Sequence, residues 1–200
     1  VTPPPTHKDQ TFPTEILTGD EVRTLLYTPS SRAPTGLRNR ALIAVMYGAG
    51  VRLAEALALR PSDVDLDAAS IRVLHGKGDK ARTVGIDDGA LLHVVRWIET
   101  RKALGIKGKV LLCTLDGGVL SPRYVRAMLA RAAAKAGIDK RVHPHGLRHT
   151  HAAELESSGF TVSEIQQQLG HTNLNTTAVY LNHISPSARI AKIRNRRSAL

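Results

Sequence analysis

Apolar positions recur at three- and four-residue intervals through most of this chain, which predicts a mainly α-helical protein. Thr18 with Glu21 three residues on has capping-box spacing, and Val22, Leu25 and Leu26 follow on one face of the helix it opens. Residues 37–47 are apolar on nearly all sides, as in a buried core helix, and end near Gly48-Ala49-Gly50. Residues 52–59 resume helix, closed by Pro61. Residues 90–103 carry Leu91, Val94, Val95 and Ile98 as one stripe. Ser121 and Pro122 fit the cap and first helical position of an Ala-rich helix over 123–136, which stops at Gly137. Further helices are predicted over 145–157, 161–169, 174–183 and 186–197, with Ser163 capping the one that bears Ile165 and Leu169.

Two short β-branched segments interrupt the helical pattern. Residues 71–74 and 81–86 read as strands joined through Gly76-Lys77-Gly78-Asp79, a hairpin with Lys77 at its tip. Periodicity leaves 110–113 open between strand and helix. The expected fold class is therefore mainly α with a small antiparallel β-sheet. The prolines of Val1–Pro5 and Pro13 make 1–16 an extended linker, and a chain beginning at Val is expected to be the downstream part of something longer.

Composition narrows the class. With 42% hydrophobic and 22% charged residues the chain is globular rather than fibrous or low in complexity. Its longest apolar run, 41–51, falls short of the roughly 20 residues that a membrane helix needs, so no membrane partner is expected. The single Cys113 has no partner for an internal disulfide and fits a reducing compartment. The net charge is +11. Residues 101–141 carry 10 cations against 2 acids, 181–200 carry 5 cations and no acid, and 142–180 between them is mildly acidic. Such a distribution suits a polyanion such as DNA, although a basic surface kept for solubility has the same composition.

Three clusters carry candidate chemistry. Arg52 directly follows the apolar run, where a guanidinium holds either an oxyanion or a structural carboxylate, and Glu55 is placed to pair with it locally. Lys77 lies between two glycines that let backbone approach a ligand, in a loop without Walker A spacing. The third cluster is His143-Pro-His145-Gly-Leu-Arg148-His149-Thr-His151. His145 and His149 are i,i+4 neighbours, a spacing that also suits zinc, so a metal-dependent hydrolase built on the four histidines competes. Arg148 on the same face favours an anion instead, with an imidazole beside it to move a proton. Downstream, 161–183 has the pattern of a helix-turn-helix, in which Tyr180 is core or a phosphate contact.

Arg52 in GAGVRLAEALAL, Lys77 in HGKGDKAR, His145 and Arg148 in HPHGLRHTHA, His171 in LGHTN and Tyr180 in NTTAVYLNH together resemble the motif series of the tyrosine recombinases, the phage integrase family. The likeness runs from about residue 17 to residue 180. It implies a DNA breaking-rejoining catalytic domain over 17–184, preceded by a DNA-clamping domain and followed by a basic tail helix over 185–200. By resemblance Tyr180 is the nucleophile that forms a 3′-phosphotyrosyl link, and Arg52 and Arg148 clamp the non-bridging oxygens. Lys77 protonates the leaving 5′ oxygen, His145 accepts a proton and His171 donates to the phosphate. The implied partner is double-stranded DNA, bound by a homo- or hetero-tetramer that exchanges C-terminal tails, with the isolated domain a monomer. No metal, nucleotide or other cofactor is implied, and the expected location is the bacterial or phage-infected cytoplasm, at the nucleoid. A type IB topoisomerase shares this chemistry.

Overall fold

The computed structural model describes residues 15–74 and 81–170. Helix α1 (Gly19–Tyr27) begins at the predicted capping box: Thr18 Oγ1 accepts from Glu21 N–H, and the Glu21 carboxylate accepts from Thr18 N–H. Helix α2 (Pro34–Gly48) starts three residues before the predicted span, because Pro34 fits the first helical turn where no N–H is needed. Ala41 to Met46 are all buried, so α2 is the central helix of the core. It packs mainly against α4 (Asp88–Ala103), whose Trp97 is fully buried and donates its indole N–H to Leu111 O.

Between these two helices the chain forms α3 (Leu53–Ala58) and a 3-10 turn over Pro61–Asp63. Arg52, read as helical from the sequence, is instead the extended N-cap residue of α3. Pro61 opens the 3-10 turn after Leu59 has already left helical geometry. Three strands follow in antiparallel order: β1 (Val64–Asp65), β2 (Ser70–Val73) and β3 (Arg82–Gly85). The pairing of β2 with β3, Val73 opposite Arg82 and Ile71 opposite Val84, is that of the expected hairpin. β1 is additional, two residues long and too short to leave an alternating pattern. β3 is an edge strand among the described residues.

Residues 110–113 are neither a ladder strand nor a helix. Leu111, Leu112 and Cys113 are buried, and Cys113 forms one isolated bridge with Val119. Helix α5 (Pro122–Lys135) has the predicted Ser121 cap, whose Oγ accepts from Tyr124 N–H. Helices α6 (Pro144–Ser157) and α7 (Val162–Leu169) complete the described fold. The α7 cap is Thr161 rather than Ser163, because Thr161 has Glu164 three residues on and closes a capping box with it. The predicted linker reaches residue 16, and its last two residues are bonded to the body: Glu15 accepts from Arg141 N–H, and Ile16 O from Lys140 Nζ. The helices read over 174–183 and 186–197, and the segment 1–14, lie outside the described residues.

Candidate phosphate-binding site

The site grows from the C-terminal end of α7. A helix leaves its last carbonyls without intrahelical donors, and they carry the negative end of the helix dipole. Gly170 ends α7 in the left-handed conformation, φ 64°, and its N–H turns back to Gln166 O and Gln167 O. Leu169 O then accepts from Arg148 Nη2 at 2.5 Å, and Gly170 O accepts from Arg52 Nη2 at 3.2 Å. Two guanidiniums from distant parts of the chain are thus held at consecutive carbonyls of one helix end.

Each guanidinium has a second anchor. Arg148, on α6 and only 1% exposed, donates through Nη1 to Gly50 O at 2.7 Å. Gly50 has φ 61°, and a Cβ there would lie 2.4 Å from His151 Cδ2, so backbone conformation and space both require glycine. Arg52 donates through Nη1 to Glu55 Oε1 at 2.8 Å, the local pair foreseen from the sequence. The other Glu55 oxygen accepts from Arg52 N–H at 2.8 Å.

Glu55 does more than pair locally. Arg82, at the start of β3, reaches it with both terminal nitrogens, each at 2.9 Å. Burial alone would raise the Glu55 carboxyl, but the hydrogen bonds from Arg82, Arg52 N–H and the Arg52 side chain outweigh it and hold the group below its ordinary value. The Arg82 side chain also lies against Gly170, where a Cβ would come within 2.6 Å of its Nε. Arg82 is the residue that sequence reasoning missed. It stands 27 positions from Glu55, beyond the reach of any local pattern.

The four histidines have separate fates. His143 is the α6 N-cap, its Nδ1 accepting from Gly146 N–H at 3.2 Å. Burial, then the Arg141 charge, lowers its pKa, which suits an imidazole acting as an acceptor. His145, one turn before Arg148, is solvent-accessible, and its ring meets His149 edge to face at 4.2 Å. Desolvation, then the charges of Arg148, His143 and Arg52, push its pKa down. The shift favours the neutral form, the one that can accept a proton. His151 is buried behind Gly50 and has its pKa pushed down to about 4 by burial and by Arg148. His143 is taken up by its cap and His151 is buried behind Gly50, which leaves His145 and His149 as a pair, and among the described residues no group of three His, Cys, Asp or Glu is placed to hold a metal ion.

Of the six residues singled out in the sequence, Arg52, Arg148 and His145 are brought to one place. Lys77, His171 and Tyr180 lie outside the described residues.

A mainly helical domain holds two guanidiniums at one helix end, with an imidazole of lowered pKa one turn away, and this set of charges and donors matches the chemistry of an oxyanion such as a phosphodiester. The chain belongs to the phage integrase family, whose profile matches residues 15–185. It is 34% identical over 184 residues to the tyrosine recombinase XerD of Staphylococcus aureus (strain Mu50), a match covering 90% of this chain and 61% of that protein. The crystal structure of XerA recombinase superposes with a TM-score of 0.80 at 31% identity, covering 92% of this chain and 66% of that one. XerH site-specific recombinase, in a post-cleavage complex with a palindromic difH substrate, gives a TM-score of 0.74 at 28% identity and covers 90% and 52%. The chain spans about 61% of the length of its Staphylococcus aureus relative. These relatives are recombinases, and they do not favour the topoisomerase or the isolated helix-turn-helix reading. No helix among the described residues is long and apolar enough to cross a membrane.

Proposed function

We propose that this chain is the catalytic part of a site-specific DNA recombinase that cuts and rejoins strands through a 3′-phosphotyrosyl intermediate, without metal or ATP. The observation that carries the reading is the convergence of Arg52 and Arg148 on Leu169 O and Gly170 O. Two positive charges fixed before the substrate arrives are what a phosphorane, with its extra negative charge, requires.

In this reading the Tyr180 hydroxyl attacks the scissile phosphorus while its proton passes to neutral His145. The phosphorus to 5′-oxygen bond breaks, and Lys77 gives that oxygen its proton. Arg52 and Arg148 neutralise the non-bridging oxygens, and His171 adds a hydrogen bond. The new phosphotyrosyl ester replaces the old diester, so rejoining needs no energy source. The assignments of Lys77, His171 and Tyr180 rest on their motifs.

The domain division 1–16, 17–184 and 185–200, and double-stranded DNA as partner, belong to the same reading. So does assembly of a tetramer on the DNA by tail exchange. A cavity of about 700 Å³ between α6, α7 and β3 presents Asp87, Glu154 and Glu164 beside Tyr47 and Phe160. Those carboxylates complement the five cations of 185–200, and the apolar rings complement Ile190 and Ile193. This supports docking of the tail from a neighbouring protomer.

The test is a nicked suicide duplex, made from a site that the protein selects out of a random-sequence pool. A protein–DNA adduct that survives denaturant and forms equally in EDTA is expected. Adduct formation that vanishes with the chelator would overturn the metal-free mechanism.

A further inference from the structure

The two clamp arginines are held by three separate pieces of chain: the turn after α2, the C-terminal end of α7, and β3 through Arg82 and Glu55. One side chain, Gln168, touches all three. It belongs to α7, next to Leu169, whose carbonyl holds Arg148. Its Nε2 donates to Ala49 O at 3.2 Å, directly before Gly50, the other anchor of Arg148. Its carboxamide also pairs with Gly85 of β3, accepting from Gly85 N–H at 3.0 Å and donating to Gly85 O at 2.8 Å.

The Gly85 pairing has a physical reason. β3 is an edge strand, and the Gly85 N–H and C=O face away from β2. A primary carboxamide offers one acceptor and two donors in a plane, so it completes the Gly85 ladder as another strand would and has one donor left for Ala49. Helix α7 is thereby locked in register against β3 and the α2 exit, and the register decides where Leu169 O and Gly170 O fall.

We propose that Gln168 is a positioning residue for the Arg52–Arg148 clamp, acting through the backbone carbonyls that orient both guanidiniums. It does not touch the phosphate. The role rests on the clamp reading above, and two measurements keep the claims apart.

The first needs no DNA. Nitrogen-15 NMR of the guanidinium N–H groups of Arg148 and Arg52 reads how firmly the clamp is held, whatever the protein does to DNA. Gln168→Met keeps the side-chain volume and removes all three hydrogen bonds. It is expected to speed guanidinium N–H exchange with water about tenfold or more, whereas unchanged exchange would overturn the proposal. Should that variant not fold, Gln168→Glu is read the same way, since it keeps the bond from Gly85 N–H and loses the two donated to carbonyls.

The second uses the suicide duplex with either a phosphodiester or a methylphosphonate at the scissile position. The methylphosphonate carries one negative charge fewer, so its cleavage depends less on where the guanidiniums stand. Gln168→Met is expected to slow adduct formation on the phosphodiester about tenfold and on the methylphosphonate less than twofold, with DNA affinity unchanged. Equal loss on both substrates would mean a merely structural role and would overturn the proposal, as would no loss on either. A wild-type protein that forms no adduct would refute the recombinase reading and leave the exchange measurement to decide the role of Gln168.

Discussion

Arg82 and Glu55 meet in a two-pronged ion pair, 2.9 Å at each carboxylate oxygen, and Glu55 passes that order on to Arg52 through its side chain and its N–H. The carboxylate is almost wholly buried and Arg82 largely so, which makes this pair unlike a surface salt bridge. Removing Arg82 strips two charged hydrogen bonds from a buried acid. Arg82→Ala is therefore expected to lower unfolding stability by about 2 kcal/mol, at the scale of hydrogen bonds to charged groups. Urea denaturation measures it. Arg82→Lys, lacking the planar fork, should recover less than half of the loss.

Gly50 tests the other anchor. A Cβ at this position meets both the left-handed backbone penalty and the buried His151 ring, so Gly50→Ala should cost about 3 kcal/mol. Gly105 also has positive φ, 64°, but nothing lies near its absent Cβ. Gly105→Ala should then cost only about 1 kcal/mol, the backbone term alone. Parallel thermal melts of the two variants give the comparison, and equal losses would remove the steric argument at Gly50.

The buried His151 makes stability depend on pH. Its folded pKa, about 4, lies below the ordinary 6.5, so the unfolded chain takes up its proton first as the medium is acidified. The stabilisation from keeping this imidazole neutral is complete above pH 6.5 and is lost as pH falls toward 4, a span on the order of 3 kcal/mol. His93, His143 and His145 are also lowered, so the diagnostic quantity is the difference between proteins. His151→Phe should flatten the acid side of the stability profile relative to wild type, measured by urea unfolding between pH 7 and pH 4.5. Parallel profiles would contradict the assignment.

On the proposed mechanism, His145 makes the rate of adduct formation depend on pH. An acceptor must be neutral, and its pKa is lowered from 6.5, first by desolvation and then by Arg148. The acid limb of kcat/KM for adduct formation, which reports the free protein, should fall below pH 6.5. A limb centred above that value would assign the acceptor role elsewhere.

Much of this organisation was readable in the sequence where the determining contacts are local. Thr18 with Glu21, Ser121 with Pro122, the Gly137 stop and the Arg52–Glu55 pair all act within a turn or two, and each behaves as its spacing dictates. Thr161 with Glu164 repeats the spacing of Thr18 with Glu21, but Ser163 with Gln166 has capping-box spacing too, so local pattern left both caps open and the fold selects Thr161. An imidazole cap such as His143 lies outside the usual set of short oxygen-bearing caps, so its role waited for the geometry. Arg82 and Gln168 act across 27 and 83 residues, on Glu55 and Gly85 respectively, and neither distance leaves a mark on local periodicity. The Arg52 and Arg148 motifs signalled a clamp. What holds it, the end of α7, is a property of the fold.

The most direct test of the central claim is to map the amino acid that carries the DNA. The adduct trapped on the suicide duplex is digested with nuclease and protease, and the modified peptide is read by mass spectrometry. A nucleotide joined through its 3′-phosphate to the Tyr180 oxygen, with Tyr180→Phe binding DNA as tightly as wild type and forming no adduct, is the predicted result. A modification on Tyr27, Tyr47, Tyr124 or any other side chain, or an adduct that persists in Tyr180→Phe, would contradict it.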